Sequence, residues 1–201
     1  SLNQDHYKYS IQTLSNKKAV LCEKPLAINQ NQVQNLIKCS KENKSFLMEA
    51  LWTRFNPTFE QLLGWLKNDM IGPIHYINAS FSFNGLSSSI DSRLFNPSKA
   101  GGSLLDIGIY PLFLAYLVLG KPNGIKSNAI KTTSGVDKQM AILLSYENAH
   151  AILYSSFSHN EEMVARFYRS SWRYLVTFNK AYFQTKSDPV GSLYKFCWIL
   201  N

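Results

Sequence analysis

The order of hydrophobic patterns in the first fifty residues restricts the fold more than any other feature of the sequence. Residues 6–15 have the apolar spacing of a helix, and the short run Ala19–Cys22 (AVLC) is typical of a buried strand. Asn29 is suited to cap a second helix that extends through Lys41, and Phe46–Met48 predicts another short strand. This alternating order predicts half of a parallel α/β sheet with right-handed crossovers.

The pattern changes after residue 50. Pro57 begins a predicted helix that extends through Leu66, and from Ile74 to Phe83 the residues alternate as in a strand. The apolar segment Leu104–Leu119 is too long for a strand and predicts a helix packed on a sheet. Three later segments are predicted to form antiparallel strands: Gly124–Thr132, Gln139–Tyr146 and Ala149–Ser158. The predicted fold class is α/β followed by α+β, with a mainly antiparallel open sheet that carries helices on one face.

Charge and composition restrict the class of protein. Between Arg166 and Asn201, six Lys or Arg residues stand against one Asp, so this tail supplies +5 of the net charge of +8. Because the excess is local, we predict no nucleic-acid partner; a basic nucleic-acid-binding module remains a third interpretation. The three cysteines have no metal-ligand spacing, which predicts free thiols in a reducing cytoplasm and no metal site. The apolar stretch Ile109–Leu119 is short for a membrane span and contains Pro111, so no membrane segment is predicted.

Lys24 is the first residue whose position suggests chemistry. It lies just past the carboxyl end of the strand Ala19–Cys22, where open α/β sheets place their ligands. Pro25 disfavours helical geometry at Lys24 and fixes the direction of the chain. The alternative is an ordinary surface lysine that precedes a helix.

Asp106 and Tyr110 form the second candidate group. They are four residues apart and share one face if the segment is helical throughout, although Pro111 could end the helix there. A carboxylate and a phenol in so apolar a segment need partners or a function. The alternative for Tyr110 is a ring packed in the core with its hydroxyl bonded to the backbone.

Four motifs, taken together, resemble one protein family. The segment KKAVLCEKPLA (Lys17–Ala27) resembles the GKHVLCEKPLA signature of the Gfo/Idh/MocA oxidoreductases. The resemblance continues in register through NQDHY (Asn3–Tyr7), MEALWTRFNP (Met48–Pro57) and GGSLLDIGIYPL (Gly101–Leu112). It covers residues 3 to about 168 and is greatest for the dihydrodiol and xylose dehydrogenase branch of the family.

The resemblance implies a division into domains and a set of site residues. Residues 1–50 would be the second half of a Rossmann-type dinucleotide-binding domain, and residues 51–168 an incomplete substrate and oligomerisation domain. The cofactor would be NADP, with NAD as the other possibility, and the substrate a diol or sugar. A homodimer through the C-terminal sheet is implied for the full-length protein. The implied catalytic residues are Lys24, Tyr110 and Asp106, the cofactor-binding residues are Glu23, Lys24, Pro25, His6 and Asn3, and the substrate-binding residues are Trp52 and Arg54.

The implied reaction moves a hydride between a substrate carbinol and the nicotinamide. Loss of the hydride leaves a developing carbonyl, so the hydroxyl proton has to pass to a base. Tyr110 would be that base, and an adjacent ammonium such as Lys24 would favour its phenolate form. Asp106 would orient the pair or hold a substrate hydroxyl. Trp52 could equally be an ordinary junction residue, and so could Arg54.

Two departures from the family pattern lead to further expectations. The chain has no GxGxxG turn, so two βαβ units of roughly 60 to 75 residues in total are expected to precede Ser1. After Tyr168 the expected Gly-x-x-Gly turn is missing, and residues 169–201 are predicted to be an aberrant tail. A shift of one nucleotide would restore Gly near Arg169 and Trp172, which suggests that the tail is a frameshift product or a wrongly predicted exon. The alternative to an enzyme is a noncatalytic fragment that serves as an interaction or dimerisation module.

Overall fold

A computed structural model describes residues 2–70, 72–169, 173–177 and 183–186. Within these residues the chain forms four α-helices and nine strands. The helices are α1 (His6–Ser15), α2 (Gln30–Glu42), α3 (Pro57–Lys67) and α4 (Ile109–Leu119). The strands are β1 (Val20–Glu23), β2 (Leu47–Ala50), β3 (Tyr76–Ser82), β4 (Gly124–Lys131), β5 (Asp137–Ser145), β6 (His150–Ser156), β7 (Val164–Tyr168), β8 (Arg173–Thr177) and β9 (Phe183–Lys186).

The first fifty residues form the parallel unit that the periodicity predicts. Strands β1 and β2 pair in parallel with Val20 opposite Leu47, and α1 and α2 pack beside them. Leu14 and Leu36, one from each helix, are fully buried in the small core of this unit. Asn29 begins α2 as predicted, because its side chain accepts a hydrogen bond of 3.0 Å from the Gln32 amide. The α/β prediction is confirmed, with strand boundaries displaced by one or two residues.

The second unit is a seven-stranded sheet in the order β4-β5-β6-β3-β7-β8-β9. All of its pairings are antiparallel except one: β3 runs parallel to β6, with Tyr76 opposite His150. The sheet is therefore mainly antiparallel, as predicted. The chain leaves β3, passes through α4 and the β4-β5 hairpin, and returns beside β3 in the same direction, which the strand pattern alone does not reveal.

Helices α3 and α4 cover one face of this sheet. Leu62 of α3 and Leu114 of α4 are fully buried in a single core with Ile77 and Leu153 of the strands. The segment predicted as one helix, Leu104–Leu119, consists of a π-helical turn at Leu104–Gly108 followed directly by α4. Pro111 does not end the helix, because it lies in the first turn of α4, where a missing amide is tolerated.

The helical stretch around α4 is long. Residues Pro97–Leu119 span 23 residues and, among the described parts of the chain, form the one helix long and apolar enough to cross a membrane by length and composition. This stretch exceeds the apolar run Ile109–Leu119 counted from the sequence. It packs on the sheet, and Leu114 and Ala115 are fully buried there. Of the most apolar part of this stretch, 44% is buried inside the protein.

The sheet continues beyond residue 168. Strand β8 pairs antiparallel with β7, and β9 pairs antiparallel with β8. The backbone of the predicted tail therefore extends the same sheet over nine described residues. Trp172 and residues 187–201 lie outside the described residues, and the frameshift hypothesis stays a prediction.

Candidate active site

Lys24 lies on a turn that two carboxylates hold in place. Glu23, the last residue of β1, accepts a hydrogen bond of 3.2 Å from the Lys24 amide. Glu49, near the end of the neighbouring strand β2, accepts a shorter bond of 2.7 Å from the Leu26 amide. The Lys24–Pro25 peptide bond is cis. The turn therefore presents the Lys24 side chain from the carboxyl end of the parallel pair, as predicted.

The Lys24 ammonium binds Asp106, which lies 82 residues further along the chain. Its Nζ donates to the main-chain oxygen of Asp106 and to the carboxylate oxygen Oδ1, the latter at 3.1 Å. A second cation, Arg93, donates from Nη1 to the same Oδ1 at 2.9 Å. The side chains of Lys24 and Asp106 are 14% and 11% exposed, whereas that of Arg93 is 57% exposed. One buried carboxylate thus joins an inner cation to an outer one.

Close backbone packing holds Asp106 in place. Asp137 of β5 accepts bonds of 2.7 Å from the Ser103 hydroxyl and the Leu104 amide, at the start of the π-helical turn. Gly102 has φ of +121°, and a Cβ atom there would lie 2.3 Å from Asp137 Oδ1. At Gly108 a Cβ atom would lie 2.9 Å from the Ser155 hydroxyl on β6. The glycines of the GGSLLDIG segment therefore let this turn approach the sheet closely.

Tyr110 is buried beside the Lys24–Asp106 pair. Its ring stacks on Phe81 with the ring centroids 5.3 Å apart, and Trp52 packs against it edge-on at 6.3 Å. The Lys24 ammonium lies 5.2 Å from the centroid of the Tyr110 ring. The Tyr110 hydroxyl accepts a hydrogen bond of 3.3 Å from Trp52 Nε1. The phenol therefore has an indole as its hydrogen-bond partner, and the ammonium contacts its ring.

A cleft of about 240 Å³ opens next to these residues. It brings together five of the sequence-predicted site residues and adds three that were not predicted. The lining residues are Leu2, Asn3, His6, Glu23, Lys24, Arg93, Lys99 and Asp106. Pro25, Trp52, Arg54 and Tyr110 do not line this cleft. Trp52 joins the site through Tyr110, while Arg54 lies exposed on the adjacent turn.

His6 carries a buried ring nitrogen on the cleft. Its Nδ1 bonds the Pro25 carbonyl oxygen at 2.7 Å, and since a carbonyl only accepts, Nδ1 carries the hydrogen. In the neutral ring Nε2 is then an acceptor. His6 is 2% exposed, and Nε2 has no hydrogen-bond partner among the described residues. Because buried polar atoms usually have a hydrogen-bond partner, this unpaired nitrogen is a candidate contact for a bound molecule.

The comparisons with known proteins match both units of the chain. The model of the NAD-binding Rossmann fold of an oxidoreductase family matches residues 1–51. The model of the GFO/IDH/MocA C-terminal domain matches residues 59–183, which is more than half of the chain. The chain belongs to the GFO/IDH/MocA family. The predicted recognition is confirmed, and the C-terminal match extends beyond residue 168 into the segment predicted as a tail.

Two curated relatives of this GFO/IDH/MocA protein are dehydrogenases. An NADP-dependent scyllo-inositol 2-dehydrogenase from Bacillus subtilis is 34% identical over 161 residues, which are 78% of this chain and 48% of the relative. A trans-1,2-dihydrobenzene-1,2-diol dehydrogenase from Sus scrofa is 39% identical over 131 residues, which are 64% of this chain and 38% of the relative. The chain thus spans half or less of the length of the curated relatives it matches.

Solved structures share the fold at low sequence identity. Aldose-aldose oxidoreductase from Caulobacter crescentus has a TM-score of 0.84 at 20% identity, over 96% of this chain and 63% of its own. A mutant 3-ketoreductase from Actinomadura kijaniata, in complex with TDP-benzene and NADP, has a TM-score of 0.85 at 22% identity, over 98% and 63%. These likenesses confirm the architecture of a Rossmann unit followed by a mixed sheet.

Three residues of this site have no role in the sequence-based prediction. Arg93 lies in a polar loop without periodicity, and Asp137 opens a strand more than thirty residues from its partners. Glu49 could have been predicted from the sequence, because it is an acidic residue within an otherwise apolar strand segment. Burial raises the pKa of the Glu49 carboxyl, against the opposing effects of the Leu26 amide, His6 and Lys24. Among the described residues no group of three metal-ligating side chains occurs.

Proposed function

We propose that this GFO/IDH/MocA protein is an NAD(P)-dependent dehydrogenase that oxidises a carbinol of a diol or sugar. One observation carries the proposal: beside a cleft, the Lys24 ammonium binds the buried Asp106 carboxylate and also lies 5.2 Å from the centroid of the Tyr110 ring, so that it joins side chains of two separate motifs. The named activities of the curated relatives agree with this class of reaction. NADP is favoured over NAD by the inositol relative, whose name includes it.

The chain's own residues divide the work of proton transfer. Tyr110 is the proposed base, and its hydroxyl oxygen accepts from Trp52 Nε1, which stabilises negative charge on that oxygen. Lys24 places its ammonium against the Tyr110 ring, and this positive charge would stabilise a phenolate. Asp106 holds Lys24 in that position through two hydrogen bonds. The near burial of both side chains strengthens these interactions, because water screens them poorly there.

The residues at the carboxyl end of β1 fit the nicotinamide end of the cofactor. The fit rests on His6, which lines the cleft and whose buried Nε2 has no partner among the described residues; in the neutral ring this nitrogen would accept from an amide donor. Glu23, Lys24 and Asn3 line the same cleft, and Pro25 acts indirectly because its carbonyl oxygen holds His6. Asn3 also donates to the Ala100 carbonyl oxygen at 3.2 Å and so ties the two units together. When bound, the nicotinamide would accept the hydride.

The exposed side chains of Trp52 and Arg54 are the proposed substrate contacts. Trp52 is exposed beside Tyr110 and offers an aromatic face to the apolar side of a diol or sugar ring. Arg54, exposed on the same turn, is a proposed contact for substrate hydroxyls.

A cytoplasmic homodimer is proposed through the sheet face opposite the helices, where Ile152 is exposed and Tyr76 stacks on Tyr168 at 5.2 Å. Sedimentation of an Ile152→Asp variant tests the dimer, which should dissociate.

Removal of one hydroxyl group tests the catalytic assignment. In the protein expressed from its complete reading frame, Tyr110→Phe keeps the ring contacts and deletes only the proposed base. The rate of NADP⁺ reduction with trans-cyclohexane-1,2-diol or scyllo-inositol should fall by about 10² to 10⁴. Tyr116→Phe is the matched control, because Tyr116 lies exposed on the same helix. Equal rates for Tyr110→Phe and Tyr116→Phe would refute the role of Tyr110.

The second candidate is a noncatalytic interaction or dimerisation module. It is favoured by a specific feature, since the sheet carries exposed apolar residues on its strands that a partner could cover: Ile125, Ile130 and Ile152. This module would dimerise without binding NADP⁺ or NAD⁺. Isothermal titration of both cofactors into the purified protein separates the two candidates.

A further inference from the structure

Arg93 is the most exposed of the three charged side chains that meet at the site, the other two being Lys24 and Asp106. Its Nη1 donates to Asp106 Oδ1, the same oxygen to which Lys24 donates, and all three residues line the cleft. The two nitrogen atoms are therefore at most about 6 Å apart, since each lies about 3 Å from one oxygen. More than half of the Arg93 side chain is exposed, while Lys24 and Asp106 are nearly buried. Of these three groups, the guanidinium is therefore the most accessible to a molecule in the cleft.

The loop is anchored directly after Arg93. The next two residues, Leu94 and Phe95, are buried in a core cluster that includes Phe157. The Leu94 carbonyl oxygen accepts from the Gly102 amide at 2.8 Å, and the Phe95 carbonyl oxygen accepts from the Ser134 hydroxyl at 2.5 Å. The guanidinium is thus attached to a backbone that the core and these bonds fix in place.

The other loop cation on the cleft is directed back to the loop itself. Lys99 donates from Nζ to the Asp91 carbonyl oxygen at 2.6 Å. Arg93 differs because a guanidinium carries five N–H donors in one plane, and its contact with Asp106 uses one nitrogen. A planar fork of donors suits neighbouring oxygen atoms on one molecule. Arg93 is therefore the cleft cation best placed to bind a neutral polyhydroxy ligand.

We propose that Arg93 is a substrate-binding residue that selects vicinal diols. In this arrangement the hydroxyl to be oxidised lies at the Lys24–Tyr110 pair, and its neighbour accepts a hydrogen bond from Arg93. The separation of the two cations is within the reach of adjacent oxygens of one diol. A dihydrobenzene-1,2-diol and an inositol, named for the two curated relatives, both carry such neighbouring hydroxyls. The proposal rests on the proposed dehydrogenase function and assigns its substrate class to a residue outside the four sequence motifs.

The test compares two substrates that differ by one hydroxyl. In the protein from the complete reading frame, kcat/KM is measured for trans-cyclohexane-1,2-diol and for cyclohexanol. The preference for the diol should fall by about tenfold or more in Arg93→Ala and by less in Arg93→Lys, which retains a donor. Arg166→Ala is the control, because this arginine on β7 pairs with Glu162 and does not line the cleft. Its preference should equal that of the wild type.

A merely structural role predicts a different pattern. If Arg93 only stabilised Asp106, Arg93→Ala would lower kcat/KM for both substrates by the same factor and leave the preference unchanged. That result, or a wild-type protein without a preference for the diol, overturns the proposal.

A binding assay separates this proposal from the proposed function. Trp52 is exposed beside the site, so its fluorescence should report diol binding without turnover, with Trp52→Phe as the control for its signal. Diol binding that Arg93→Ala weakens by about tenfold supports the role of Arg93 even if no cofactor is reduced. Equal diol binding in wild type and Arg93→Ala, or none in either, overturns it.

Discussion

The substitution Gly102→Ala tests how Asp137 holds the turn that carries Asp106. The backbone φ of +121° at this position is strained for any L side chain, at about 1–3 kcal/mol. The new Cβ atom would also lie 2.3 Å from Asp137 Oδ1, so the Asp137 carboxylate has to move. The other oxygen of Asp137, Oδ2, accepts bonds of 2.7 Å from the Ser103 hydroxyl and the Leu104 amide. A hydrogen bond to a charged group contributes about 1.5–3 kcal/mol, so loss of one bond brings the total to about 2.5–6 kcal/mol.

Two further variants separate strain from collision. Gly135 also has a positive φ, of +94°, but an added Cβ there meets no atom of the described residues within 4 Å. Gly135→Ala should therefore lower the free energy of unfolding by the strain alone, about 1–3 kcal/mol. In an Asp137→Ala background the obstructing carboxylate is gone, so Gly102→Ala should again show only the strain.

Urea unfolding followed by circular dichroism measures all of these free energies. The double-mutant cycle between Gly102→Ala and Asp137→Ala should show a coupling of about 1.5–3 kcal/mol. The Asp137→Ala background also keeps the test valid if Gly102→Ala alone does not fold. Additive effects, or equal losses for Gly102→Ala and Gly135→Ala, would contradict the contact between Gly102 and Asp137.

Two other substitutions test stability, one in helix α3 and one in strand β2 of the first unit. Gly64→Ala should raise the free energy of unfolding by about 0.5–1 kcal/mol, because Gly64 lies inside α3 and an added Cβ meets no described residue within 4 Å. A lower urea midpoint than that of the wild type would contradict this prediction. Burial raises the pKa of Glu49, so its protonation stabilises the fold below the ordinary carboxyl pKa, and this stability is lost as pH rises through the raised value. Glu49→Gln, whose amide oxygen can still accept from Leu26, should be more stable than wild type at pH 7 and lose that advantage toward pH 4; a pH-independent difference in Tm would argue against this assignment.

The sequence predicts those parts of the fold that depend on local pattern. Helices α1 and α2, the Asn29 cap and the strands β4 to β6 follow from periodicity and capping chemistry, and the structure has each of them within one or two residues. The parallel pairing of β3 with β6 could not be predicted, because it depends on the path of the chain through α4.

The site divides in the same way. Lys24 and Asp106 were predicted because each lies in a short motif with a physical reason for its residue type, whereas His6 was predicted from the family resemblance alone. The structure brings all three to one cleft. Arg93 and Asp137 were missed because each has a partner that only the tertiary fold brings near. The π-helical turn at Leu104–Gly108 was also unforeseen, since an apolar pattern does not distinguish it from an α-helix.

Transfer of the substrate hydrogen tests the central claim most directly. A diol deuterated at its carbinol carbons is incubated with NADP⁺ and the protein from the complete reading frame, and the mass of the reduced cofactor is measured. We predict that the wild type transfers deuterium to the nicotinamide and that Tyr110→Phe does so at least about 100-fold more slowly. Reduction of the cofactor without deuterium, or no reduction by the wild type with either NADP⁺ or NAD⁺, would contradict the assignment of Lys24, Asp106 and Tyr110 as the active site of a dehydrogenase.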